Sequence, residues 1–126
     1  MERRWFLLLA AAGVIALNGI VFAVFWPQPL PPPGASPAER VYLARCASCH
    51  GARGTGSWRA TFFLIRPGDL SNPGRMTALP NQYLFDVIKH GGATIGKPGM
   101  PGFGFHLSDT EITELVRYVR SLAADR

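Results

Sequence analysis

Residues 45–51 read RCASCHG and hold both cysteines of the 126-residue chain, Cys46 and Cys49, with His50 directly after the second. Two thiols and one imidazole in five consecutive positions suit three chemistries. They can form a dithiol–disulfide redox pair, half of a zinc site, or a covalent anchor for a porphyrin. The first needs the strand–helix–strand setting of a thioredoxin-like motif, and no run alternates as a strand does. The second needs four ligands, and no further pair stands at finger spacing. A simple disulfide across two residues closes so short a loop that it adds little stability. The third accounts for every residue. Thiols at i and i+3 can add to the two vinyl groups of one porphyrin, and the next side chain offers its imidazole to the iron on the same face. Cys46, Cys49 and His50 are therefore read as the attachment site of one covalent haem c.

The opposite face of the iron then needs a ligand. Met100 lies in GKPGMPGFG, where Pro98, Gly99, Pro101 and Gly102 disfavour helix and hold an extended loop. Met76, just before a predicted helix, suits core packing or a haem-edge contact, and Met1 lies in the wrong compartment. His90 and His106 would give a bis-histidine site instead, although His90 ends a helix beside two glycines, as surface imidazoles often do. Met100 is the expected ligand, with Met76, either histidine or an open position as the alternatives. Arg59, beside Trp58, is the candidate contact for a haem propionate. A histidine–thioether pair leaves no vacant position, favours ferrous iron, and suits transfer of single electrons.

These residues need helices to hold them. Ser36-Pro37-Ala38-Glu39 is a capping box with proline at the first helical position, so a helix should run from Pro37 into the cysteines. A second fits LPNQYLFDVIKHGG, with Leu84, Val87, Ile88 and Gly91 at i, i+3, i+4 and i+7 and two glycines as the stop. A third opens on the Ser108–Glu111 capping box with Leu107 and Ile112 as a hydrophobic staple. Ile112, Leu115, Val116, Val119 and Leu122 line one of its faces. Glycine- and proline-rich loops connect them. The expected fold class is all-α, about three short helices around one haem, over residues 36–126.

Ahead of that domain, Trp5 to Trp26 is 22 residues without a charge. As a helix this spans roughly 33 Å, close to the ~30 Å hydrocarbon core of a bilayer. Trp5 and Trp26 bracket it as interfacial aromatics, and Arg3 and Arg4 place the N-terminus in the cytoplasm. Residues 1–26 are read as a single-pass anchor in a bacterial inner membrane, with the rest on the periplasmic side. A cleaved signal peptide competes, with Val21-Phe22-Ala23 as a processing site. Residues 27–35 form a proline-rich linker, since Pro27 to Pro37 has six prolines in eleven positions and favours a semi-rigid polyproline II stalk.

Charge bears on partners. Between Ser36 and Leu107 stand eight basic residues against three acidic ones, whereas the last 19 residues have three basic and four acidic. A basic haem-bearing part steers toward redox partners with acidic docking surfaces, or merely solubilises the domain and neutralises propionates. Nucleic-acid binding is not expected of an exported haem domain.

YLARCASCHGARGTG and GMPGFGFHLSDTEITELVRYVRSL resemble a class I cytochrome c of the bacterial monohaem type, over Pro37 to Leu122. The resemblance implies a haem wrapped by N- and C-terminal helices that cross near one edge, with Val41 or Tyr42 against Val116, Tyr118 or Val119. It also implies a proline whose carbonyl accepts the N–H of the ligand histidine, and Pro67 is the matching position. The expected function is that of a membrane-tethered electron carrier between respiratory or photosynthetic partners, not an enzyme. The alternatives are a fixed cytochrome subunit of a larger membrane oxidoreductase, with Asn18 and Gly19 facing another helix, and a haem enzyme or gas sensor.

Overall fold

The computed structural model describes residues 2–25 and 29–124. Met1, Trp26 and Pro27, named above, lie outside the described residues. Helix α1 (Glu2–Phe25) is followed by α2 (Pro37–Arg45), α3 (Ala47–His50), α4 (Trp58–Phe62), α5 (Pro73–Ala78), α6 (Asn81–His90), a 3₁₀ turn (Ala93–Ile95) and α7 (Asp109–Ala124). Among the described residues there is no strand, and the protein is all-α.

Helix α1 differs from the rest in having no polar face. Its segment Arg3–Ala23 has a mean hydropathy of 2.4, is long and apolar enough to cross a membrane, and is not buried by the remainder of the chain. Its one amide is satisfied locally, since Asn18 Nδ2 donates to Val14 O at 2.8 Å. Beyond it, Ala35 is buried and its N–H donates to Pro32 O at 3.0 Å. Arg40 Nε donates to Ala35 O, so the far end of the linker is tied to α2.

The core is built on α7, against which α2, α5 and α6 pack. The capping box at its start is complete: Ser108 N–H donates to Glu111 Oε2 at 2.8 Å and Glu111 N–H to Ser108 Oγ at 3.3 Å. The stripe Ile112, Leu115, Val116 and Val119 is buried, with Leu122 half-buried at its edge. On α2, Ser36 Oγ accepts the Glu39 N–H at 3.1 Å, and Tyr42 and Leu43 enter the same core. The crossing of the first and last domain helices is made by Tyr42 and Tyr118, whose ring centroids are 5.2 Å apart at 55°. That is the contact implied by the family resemblance.

Two helices in the middle segment escape periodicity. Helix α5 has a sound start, Asn72 Oδ1 accepting the Arg75 N–H with Pro73 at the first helical position, but it is only six residues long. Helix α4 is five residues, opened by Ser57 Oγ accepting the Ala60 N–H. The middle segment is held by Arg120 of α7. Its guanidinium donates to Met76 O at 2.6 Å, Leu79 O at 2.5 Å and Asn81 Oδ1 at 2.5 Å, fastening the α5–α6 junction. A planar fork with several donors suits this role, and lysine could not reproduce it.

Candidate haem site

The attachment residues sit where one helix breaks into the next. Helix α2 ends at Arg45, Cys46 caps it through Cys46 N–H to Tyr42 O at 2.8 Å, and α3 carries Cys49 and His50 onward. His50 N–H donates to Cys46 O at 2.9 Å, which holds both sulfurs and the imidazole on one turn. The chain then folds back sharply. Gly51 has φ +76°, and a β-carbon there would stand 2.4 Å from Gly56 O, so only glycine fits. Gly56 N–H donates to His50 O at 2.7 Å, Ser57 N–H to Cys49 O at 3.0 Å, and Ser57 Oγ to Ser48 O. Tyr42 Oη donates to Gly51 O at 2.8 Å, joining this loop to the helix crossing.

Both cysteines are free thiols and half-buried. Burial, with Cys49 alongside, pushes the Cys46 thiol up to about 11, so it is an uncharged thiol at neutral pH. His50 is also half-buried, and its Nδ1 lies 3.2 Å from Gly68 O. A carbonyl only accepts, so Nδ1 must carry the proton and Nε2 keeps the free lone pair. Burial lowers the His50 pKa and so disfavours the charged ring, against an opposing effect from Gly68 O. A neutral imidazole with one nitrogen tied back is what a metal ligand requires. The acceptor is Gly68, not Pro67 as the resemblance implies. No helix spans residues 65–69, so successive carbonyls diverge and only one of two neighbours meets the ring.

Met100 is placed by backbone packing. The segment 100–104 runs against the end of α6, with Gly92 N–H to Met100 O at 2.9 Å, Phe103 N–H to Ile88 O at 2.9 Å and Gly104 N–H to Lys89 O at 3.0 Å. Glycine permits that approach. A β-carbon on Gly92 would meet Lys97 O at 2.4 Å, and one on Gly102 would meet His90 C at 2.8 Å. The Met100 side chain is half-buried and packs against the core. Lys97 Nζ donates to Arg66 O at 3.3 Å, so the methionine loop touches the segment that leads to Gly68.

The competing ligands are placed elsewhere. Met76 is 2% exposed within the apolar core. His90 is exposed, with Nδ1 3.1 Å from Asp86 O, and His106 is exposed in the turn before α7. Arg59 Cζ lies 5.8 Å from the Trp58 ring centroid, its side chain half-buried. Among the described residues no three His, Cys, Asp or Glu side chains converge, so a four-ligand structural zinc site has no basis here.

Whether the chain fits a porphyrin can be judged from α4. Leu64 N–H donates to Thr61 O and Ile65 N–H to Ala60 O, at 3.1 and 2.8 Å. This is the Schellman pattern of a helix end, in which the left-handed position is usually glycine. Here it is Leu64, at φ +56° and 86% exposed. A bulky residue at a strained position, with its side chain out of the protein core, points to a function for that side chain. Leu64, Ile65, Arg66 and Pro67 line a hollow of about 340 Å³ with Thr55, Gly56, Ser57 and Thr61. Leu64 and Ile65 are exposed apolar side chains in the segment that leads to Gly68, whose carbonyl meets His50, and such a segment suits a large apolar macrocycle. Sequence reasoning missed Leu64. Its signal was a large apolar residue where a short helix must stop.

Fold and donor set together define a c-type cytochrome domain with the electron-transfer role of that class. The chain belongs to the family described as "Cytochrome C oxidase, cbb3-type, subunit III", which matches residues 33–119. It is 38% identical over 86 residues to the cytochrome c subunit of a quinone alcohol dehydrogenase from Gluconobacter oxydans (strain 621H). That match covers 64% of this chain but 17% of the relative. Among solved structures the KustC0563 c-type cytochrome superposes with a TM-score of 0.58 at 20% identity, over 68% of this chain and 95% of that one.

Proposed function

We propose that this protein is a membrane-tethered monohaem cytochrome that passes single electrons between redox partners. The carrying observation is the His50 arrangement, an imidazole directly after two free thiols with Nδ1 3.2 Å from Gly68 O. Cys46 and Cys49 would hold the haem through thioether bonds, His50 Nε2 would take one side of its iron and Met100 the other. When bound, the haem supplies a one-electron Fe(III)/Fe(II) couple. The residues around it orient the imidazole, close the axial positions and, through Leu64 and Ile65, keep water from the ring. Arg59 would neutralise a propionate. Helix α1 would anchor the domain in the inner membrane with the haem on the periplasmic side, and the basic surface would favour partners with acidic docking faces.

A second reading is a fixed cytochrome subunit of a larger oxidoreductase. What favours it is the relative named as the cytochrome c subunit of a dehydrogenase. Purification in mild detergent separates the two, since a carrier emerges alone and a subunit co-migrates with partners in constant proportion.

Met100→Ala tests the ligand assignment. The expected result is a covalently loaded protein that lacks the weak long-wavelength sulfur-to-iron band of the ferric form and has a lower potential. Survival of the band, with its loss in Met76→Ala, would refute the assignment.

A further inference from the structure

The residue whose carbonyl meets His50 has a cation beside it. A β-carbon built on Gly68 would stand 2.9 Å from Arg75 Nη2, 3.3 Å from Cζ and 3.4 Å from Nε. Three guanidinium atoms within 3.4 Å of that point put the group beside the Gly68 α-carbon, in space that a side chain there would fill. Gly68 is also the residue whose carbonyl oxygen is 3.2 Å from His50 Nδ1. Arg75 is aimed there by its own helix start, since Asn72 Oδ1 fixes its N–H at 2.9 Å and Pro73 fixes the turn between. In the same segment Asp69 Oδ1 accepts Ser71 N–H at 2.9 Å and Ser71 Oγ at 2.6 Å.

We infer that Arg75 is a tuning residue for the iron couple, acting through the Gly68 peptide on the imidazole of His50. The inference rests on the haem reading above. Two effects work in the same direction. A strong carbonyl acceptor makes the imidazole more basic and stabilises ferric iron, and a guanidinium beside that peptide weakens the carbonyl as an acceptor. The cation also favours the state with one more electron by direct attraction. Because Arg75 is exposed, solvent screens part of this, and the expected effect is modest. Gly68 thereby serves two functions, presenting its oxygen to the ring and leaving room for the cation.

The test uses the full-length holoprotein and four variants, with the potential measured at neutral pH. Arg75→Gln is expected to shift the one-electron equilibrium about threefold toward ferric, roughly 28 mV at 59 mV per tenfold. Arg75→Lys should retain most of the parent value. Gly68→Ala keeps the carbonyl but displaces the guanidinium, so it should lower the potential similarly. The double variant Arg75→Gln/Gly68→Ala should add nothing beyond either single change. In the reduced protein the His50 Nδ1–H proton resonance should move downfield in both single variants, which a merely structural role or a distant charge would not produce. If Gly68→Ala leaves both potential and resonance unmoved, Arg75 does not act through the Gly68 peptide and the proposal fails. A chain that carries no covalent haem overturns the haem reading itself, whereas a loaded protein with unchanged potentials overturns this assignment alone.

Discussion

The two candidate axial ligands are held by opposite strategies. His50 belongs to a contiguous stretch in which α2, a single break and α3 place both sulfurs and the ring within one turn. The following loop returns through Gly56 and Ser57, and Gly68 O comes from further along the chain. Met100 belongs to no helix. Its position depends on backbone pressed against backbone across Gly91, Gly92, Gly102 and Gly104, at the far end of α6 from the Arg120 fastening. One side is encoded locally and the other is a product of tertiary packing. The histidine side should therefore survive damage that releases the methionine.

The most severe way to break this contrast is to remove the local side. Replacing Cys46 and Cys49 with serine should abolish covalent haem, read as loss of haem staining on a denaturing gel. Next comes Gly92→Val, which forces a side chain into Lys97 O and Met100 Cβ. It should cost about 2–4 kcal/mol in denaturant unfolding and remove the sulfur-to-iron band, while haem stays attached. Gly51→Ala strikes the histidine loop at φ +76° and should cost about 1–3 kcal/mol, with the sulfur band retained in the folded protein. Lys97→Met removes a side-chain bond between the two sides and should lower stability by about 0.5–1 kcal/mol. Lys97→Gln keeps a donor and should lose less, and carbon monoxide binding to the reduced protein should be faster in the methionine variant.

The smallest effect lies outside both sides. Hydrogen bonds from Ser108 lower the pKa of the exposed Glu111 below its usual value. A carboxyl whose folded pKa is depressed stabilises the fold above its unfolded pKa, and that contribution is lost as pH falls through the folded value. Acid titration of unfolding should thus show a small decline below the ordinary glutamate range that is missing in Glu111→Gln.

The same contrast explains what could be read from the residues alone. RCASCHG is local, and its chemistry was visible without a structure. So were α2, α6 and α7, because Ser36, Ser108 and the apolar stripe of α7 carry their signals within a few positions. Helices α4 and α5 were passed over because five or six residues cannot display a period, and prolines and glycines nearby suggested loop. The resemblance implies Pro67 as the histidine's acceptor, the structure has Gly68 O at 3.2 Å, and nothing in RPGDL tells which carbonyl turns inward. Nothing near Arg120 in the sequence marks it as a fastening. Its partners lie about 40 positions back, and only the folded chain brings them to it. Arg75 was counted merely as charge, and its resting place on Gly68 is equally non-local.

Arg120 has a consequence for timing. The helix that carries it follows α2, α5 and α6 in the chain, yet all three pack on it, and its guanidinium ties down the α5–α6 junction. The core against which Cys46 packs cannot mature before α7 arrives. Until then the thiols stay open to whatever loads them, so the order of synthesis itself keeps a window for attachment.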